Sequence, residues 1–111
     1  MEESIMYNVL LERWQAERDS PTLLPLRDSF IQNLREYIES ILEQSQAEEI
    51  SELQRHLYET ELANLRFMMK NLLQMRVQKM LTLLIEQEID YDLLTRSERR
   101  FADQITRNTR A

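Results

Sequence analysis

One imidazole, no thiol and twenty carboxylates bound the chemistry this sequence can do. His56 lies four residues after Glu52 and three before Glu59, the spacing that puts all three on one side of a helix. There a carboxylate could orient the ring as a base, or join it as a metal ligand. A carboxylate-bridged metal bundle needs Glu-x-x-His on two helices, and here position 53 is Leu53 and no second histidine exists. No serine or threonine is paired with His56 in a recognisable arrangement, so its expected place is a solvated helix face. With no cysteine, disulfides, thiolate zinc sites and a thiol nucleophile are excluded. The expectation is a protein that is not an enzyme, with no catalytic residue, no cofactor and no metal.

Charge placement says more than acid–base chemistry. Leu65, Leu72 and Lys79 are seven apart, as are Met69, Arg76 and Leu83, so on a helix these six share one side. The stripe turns cationic in its second half. A lysine or arginine buried without a partner costs several kcal/mol, so carboxylates or carbonyls must meet Arg76 and Lys79. Glu17 or Asp28 is the expected intrachain acceptor, and a carboxylate on another subunit is the alternative. Tyr7, Trp14 and Phe101 read as packing anchors that would be natural hot spots at an interface.

The elements that must carry these residues are helices. The chain has 111 residues, no glycine and 42% hydrophobic residues, and it is rich in Leu, Glu, Arg, Gln and Met. Without glycine the usual left-handed helix ends, hairpin turns and phosphate-cradling loops are not expected. A first helix is expected from about Glu3 to Arg18, with Met6, Val9, Leu10 and Trp14 inward. Both prolines of the chain then fall in one stretch, WQAERDSPTLLP, residues 14–25. Ser20-Pro21 ends the first helix, and Pro25 suits the first turn of the second, whose inner stripe is Phe30, Leu34, Tyr37, Ile38 and Ile41. A boundary follows near Ser45 to Glu49, then Ser51-x-x-Gln54 caps a third helix that runs unbroken to about Glu88. Its apolar residues reach nearly all round, as for a helix at the centre of a bundle or one buried by a second protein. The IDYD stretch leads to a fourth helix opened by the capping box Thr95-x-x-Glu98. The fold class is all-α: a single domain, residues 1–111, forming a bundle of about four helices around one long central helix.

The formal net charge is −6, which argues against strong direct nucleic-acid binding by the body of the domain. It is unevenly spread: residues 1–60 hold 13 acids and 5 bases, residues 61–111 hold 7 acids and 9 bases. Ordinary solvated helix faces account for this, and an acidic partner or anion for the basic half is the alternative. No apolar run reaches the roughly 20 residues of a membrane span, so no membrane partner is expected.

Three blocks together carry a family resemblance. WQAERDSPTLLP resembles the N-terminal helix and turn of the Sld-five-type subunit of the GINS complex, with Trp14, Glu17, Arg18, Pro21, Leu23, Leu24 and Pro25 matching in order. ETELANLRFMMKNLLQMRVQKM is similar to that family's long helix, with Glu61, Leu62, Leu65, Arg66, Arg76, Lys79 and Met80 at its places. LLTRSERRFA resembles the opening of the family's next helix. The resemblance implies a helical A domain without the small β-rich B domain, from a eukaryotic subunit or its archaeal relative. It implies a non-catalytic replication factor, joined to the other GINS subunits in a hetero-tetramer. That tetramer scaffolds the MCM helicase with its RecJ-related cofactor, with DNA polymerase as a further contact. Localisation would be the nucleus in a eukaryote and the cytoplasm in an archaeon. The resemblance makes Glu17, Arg18, Pro21, Leu24, Pro25, Glu61, Arg66, Arg76 and Lys79 junction or interface residues. The alternative is a generic helical adaptor for an amphipathic helix of a partner protein.

Overall fold

The computed structural model describes residues 2–110, and the side chains of residues 6–108. Four α-helices follow one another: α1 (Glu2–Asp19), α2 (Asp28–Ser45), α3 (Glu52–Glu86) and α4 (Arg96–Arg110). There is no strand among the described residues. The molecule is elongated, 57 × 28 × 19 Å, because the 35 residues of α3 alone span about 50 Å.

The first half of α3 packs with α1 and α2 into a three-helix bundle. Leu10 of α1, Leu34 and Ile41 of α2, and Leu62, Leu65, Met68 and Leu72 of α3 form one buried cluster. Phe30, Tyr37 and Ile38 flank it, so the inner stripe expected for α2 holds. The chain runs up α1, down α2 and up α3, which places α1 alongside α3 in the same direction. Beyond Leu72 a second, smaller cluster joins Leu23, Met80, Leu94 and Ala102, packing the interhelical segment and α4 onto the upper part of α3.

Helix ends follow local chemistry. Ser51 caps α3, its Oγ accepting from the Gln54 N–H at 3.1 Å. Arg55 reaches back from α3 to the carbonyls of Ser45 and Ala47, both at 3.2 Å, and ties down the end of α2. Two expectations need correction. Pro25 is not in the first turn of α2, which begins at Asp28; Pro25 belongs to the non-helical segment 20–27, whose backbone is claimed by other partners. A left-handed helix end also exists despite the lack of glycine. Gln87 takes φ 59°, ψ 33°, and the N–H groups of Gln87 and Glu88 satisfy the carbonyls of Leu84 and Leu83. The two hydrogen bonds, with Ile89 packing into the upper cluster, offset the roughly 1–2 kcal/mol that this conformation costs a residue with a side chain. A single 3₁₀ turn, Tyr91–Leu93, then delivers the chain to α4.

Candidate functional site

The two-proline junction and the upper part of α3 meet in a buried knot of charge. Arg76 is fully buried, at 0% exposure, and all five of its N–H groups have acceptors. Its Nε and Nη2 grip the two oxygens of Glu98 at 2.8 and 2.9 Å. Its Nη1 donates to Glu17 Oε1 at 2.8 Å and to the carbonyl of Leu24. Its Nη2 also donates to the carbonyl of Leu93 at 3.0 Å. One guanidinium therefore holds α1, the 20–27 segment, the 3₁₀ turn and α4 to α3. The planar fork makes this possible; a lysine could not reach so many partners in fixed directions.

Lys79, one turn further on, closes the other side. Its Nζ lies 2.6 Å from Glu17 Oε2 and within 2.7–3.0 Å of the carbonyls of Glu17, Ser20 and Thr22. Its stem lies along α3 while the charged head reaches the carbonyls that α1 exposes at its last turn. Two cations and two carboxylates balance, so the knot buries no net charge. Burial works against the Arg76 cation, but the hydrogen bonds and charges of Glu98, and then of Glu17, outweigh it and hold its pKa above the ordinary arginine value.

Much of the junction backbone has partners. The Leu24 N–H donates to Glu17 Oε2 at 3.3 Å, the Leu26 N–H to the Leu93 carbonyl at 3.1 Å, and the Thr22 N–H to Ser20 Oγ at 3.1 Å. Arg13 donates to the Pro25 carbonyl at 3.3 Å. Pro21 and Pro25 are exposed and have no N–H to satisfy, which suits a segment whose turns are fixed by α3 side chains.

Of the two acceptors expected for Arg76, Glu17 is the one used. Asp28 instead accepts the Arg96 N–H at 2.9 Å, capping α4 from the start of α2. Glu98 was not legible as a partner of Arg76. Its capping-box role is real, since Thr95 N donates to Glu98 Oε1 at 3.0 Å and Glu98 N to Thr95 Oγ1 at 3.3 Å. A carboxylate held in a capping box still has free lone pairs, and that was the available signal.

The other expected residues lie outside the knot. Trp14 is half-buried on α3, donating through Nε1 to Asn71 Oδ1 at 2.8 Å and meeting Phe67 edge-to-face at 6.1 Å. Arg18 is exposed and lies 5.2 Å above the Trp14 ring. Tyr7 is half-buried against the lower cluster, and Glu61 accepts a hydrogen bond from Tyr37. Arg66 and Phe101 are exposed, as is His56. Among the described residues no group of three or more His, Asp or Glu side chains is placed to hold a metal ion. An open cleft of about 370 Å³ beside the junction is floored by Leu23, Leu83 and Leu93, with Glu86, Glu88 and Asp90 at its rim. No helix is long and apolar enough to cross a membrane among the described residues.

Comparison with known proteins assigns no family: no family model, curated protein or solved structure matches the chain.

Proposed function

We propose that this chain is a non-catalytic scaffold subunit of the GINS complex, of the Sld-five type, acting through its helical A domain. One observation carries the reading. The three sequence blocks that resemble that family are far apart in the chain, yet each sends polar residues to one place: Glu17 of the first, Arg76 and Lys79 of the second, Thr95 and Glu98 of the third. The knot gives the junction a fixed shape, which is what a scaffold requires of its folded unit.

In this role the chain joins the other GINS subunits in a hetero-tetramer, which holds the MCM helicase against its RecJ-related cofactor, with DNA polymerase as a further contact. Direct nucleic-acid contact is a minor part of the role. The setting is the nucleus of a eukaryote or the cytoplasm of an archaeon. A second reading, a general adaptor for an amphipathic helix, is favoured by the large apolar side chains exposed along α3, among them Leu53, Phe67 and Ile85.

Co-expression with the other three GINS subunits, followed by affinity capture and mass measurement, tests the proposal. A stable assembly containing one copy of each subunit is expected. Failure of all three to co-purify with a folded chain overturns the GINS reading and leaves the adaptor.

A further inference from the structure

The cleft beside the charge knot is shaped by the knot but not filled by it. Its floor is apolar, made by buried Leu23 and half-buried Leu83 and Leu93. Its rim is acidic. Glu86, Glu88 and Asp90 are all exposed, and none of them pairs with a lysine or arginine among the described residues. Lys79 also lines the cleft, but its ammonium is already committed to Glu17 and to the carbonyls of Glu17, Ser20 and Thr22. An apolar floor under three unmatched carboxylates complements side chains that are apolar along their stems and cationic at their tips.

The lining is fixed before anything binds. Lys79 holds the Ser20 and Thr22 carbonyls at 2.9 and 3.0 Å, which fixes Pro21 and Thr22. The left-handed end of α3 fixes the acidic residues: the Glu88 N–H donates to the Leu83 carbonyl at 2.9 Å, and Asp90 Oδ1 accepts from the Asp92 N–H at 3.0 Å. A site already held in shape loses little freedom on binding, so modest contacts suffice. The cleft is open to solvent, whereas small-molecule pockets enclose most of their ligand. A polypeptide, most of whose length stays outside, suits it better.

We propose that this cleft docks a short segment of a partner protein that is both basic and apolar. A leucine-like side chain of the segment covers Leu23, Leu83 and Leu93, and flanking arginines or lysines meet Glu86, Glu88 and Asp90. Pairing with exposed carboxylates is weak in water, so the charges select the segment and the apolar floor holds it. The inference does not depend on which assembly the chain joins, and failure of the co-purification above leaves it standing.

The probe is a capped synthetic peptide with the core Arg-Leu-Leu-Arg, titrated into the whole chain and followed by amide NMR shifts. Shifts should move at Leu23, Leu83 and Asp90, and stay in place at Leu34 and Ile41 in the lower bundle. Replacing the leucines by serine, or the arginines by uncharged citrulline, should weaken binding about tenfold. Glu86→Gln with Glu88→Gln should weaken it as much at an unchanged melting temperature, because both positions are exposed. Glu39→Gln with Glu43→Gln makes the same charge change at exposed positions of α2 and should leave affinity unchanged. No movement at the cleft residues with about 1 mM peptide would overturn the proposal. Equal weakening by the two pairs of substitutions would mean diffuse attraction to an acidic protein, and would overturn it too. Spermine binding at the cleft as tightly as the peptide would make this a small-polyamine site instead.

Discussion

The two halves of α3 solve the same problem with opposite chemistry. Below Leu72 the helix is buried by leucines, isoleucine and methionine from α1 and α2, an arrangement in which no single contact is indispensable. Above it, α2 is no longer alongside, and the partners are a segment with two prolines, a 3₁₀ turn and a short arginine-rich helix. These bring few apolar side chains, and the buried residues of the upper cluster are Leu23, Met80, Leu94 and Ala102. What they bring instead is unpaired backbone carbonyls. One arginine and one lysine collect those carbonyls and are neutralised by Glu17 and Glu98. The lower half is held by area, which is tolerant of small changes. The upper half is held by directional bonds to one guanidinium, and it should fail abruptly when that group is removed.

The largest effect expected from this contrast is at Arg76. Arg76→Ala leaves Glu17 and Glu98 buried without their common partner, a loss of about 3–5 kcal/mol. The loss should be regional at first. Amide exchange at Leu24, Leu26, Thr95 and Arg96 should quicken by more than a hundredfold, while Leu34, Ile41 and Leu65 in the lower bundle change far less. Equal acceleration everywhere would mean that the two halves unfold as one unit, and the contrast would not hold.

A comparable truncation below the divide should be milder and shared. Leu65 is fully buried, so Leu65→Ala removes apolar contact and opens a cavity, for about 2–4 kcal/mol read from urea midpoints. Its neighbours are flexible enough in part to relax: Met68 and Met69 are unbranched and can shift toward the gap. The lower bundle is the base on which the knot is built, so exchange should quicken in both halves. An effect confined to the lower half would show that the knot folds on its own.

How much of this was written in the sequence differs between the halves as well. The lower bundle was legible, because apolar residues at three- and four-residue spacing dictate which face of α1, α2 and α3 is buried. The seven-residue spacing also marked Arg76 and Lys79 as cations on an apolar stripe, and nearness to the two-proline junction offered Glu17 or Asp28 as the acceptor, of which only Glu17 is used. Glu98 was hidden behind its capping box, and Asp28 behind its nearness to the junction. Neither assignment follows from spacing, since both depend on where the 20–27 segment and the 3₁₀ turn lead the chain. The start of α2 was misplaced for a related reason. Pro25 is compatible with a first helical turn, but the carbonyls of Leu24 and Pro25 are held by Arg76 and Arg13, and helix begins only once the chain is past them.

The smallest effect gives the finest test, because the same chemistry occurs once in each half. Ser51 and Thr95 both cap a helix by accepting the N–H three residues on. Ser51 is exposed and its cap serves α3 alone, so Ser51→Ala should cost about 0.5–1 kcal/mol. Thr95 is buried, and the Glu98 it caps is the carboxylate that grips Arg76. Thr95→Ala loosens the end of α4 and with it the aim of Glu98, so its cost should approach about 2 kcal/mol. The excess belongs to the knot. It should vanish when both variants are made on an Arg76→Ala background, where Glu98 has no guanidinium to meet. A double-mutant cycle between Thr95 and Arg76 should therefore show a coupling of about 1–1.5 kcal/mol, and one between Ser51 and Arg76 none beyond measurement error. Equal costs for the two caps, with no coupling in either cycle, would mean that Glu98 is positioned by Arg76 itself and that the capping box is a bystander to the knot.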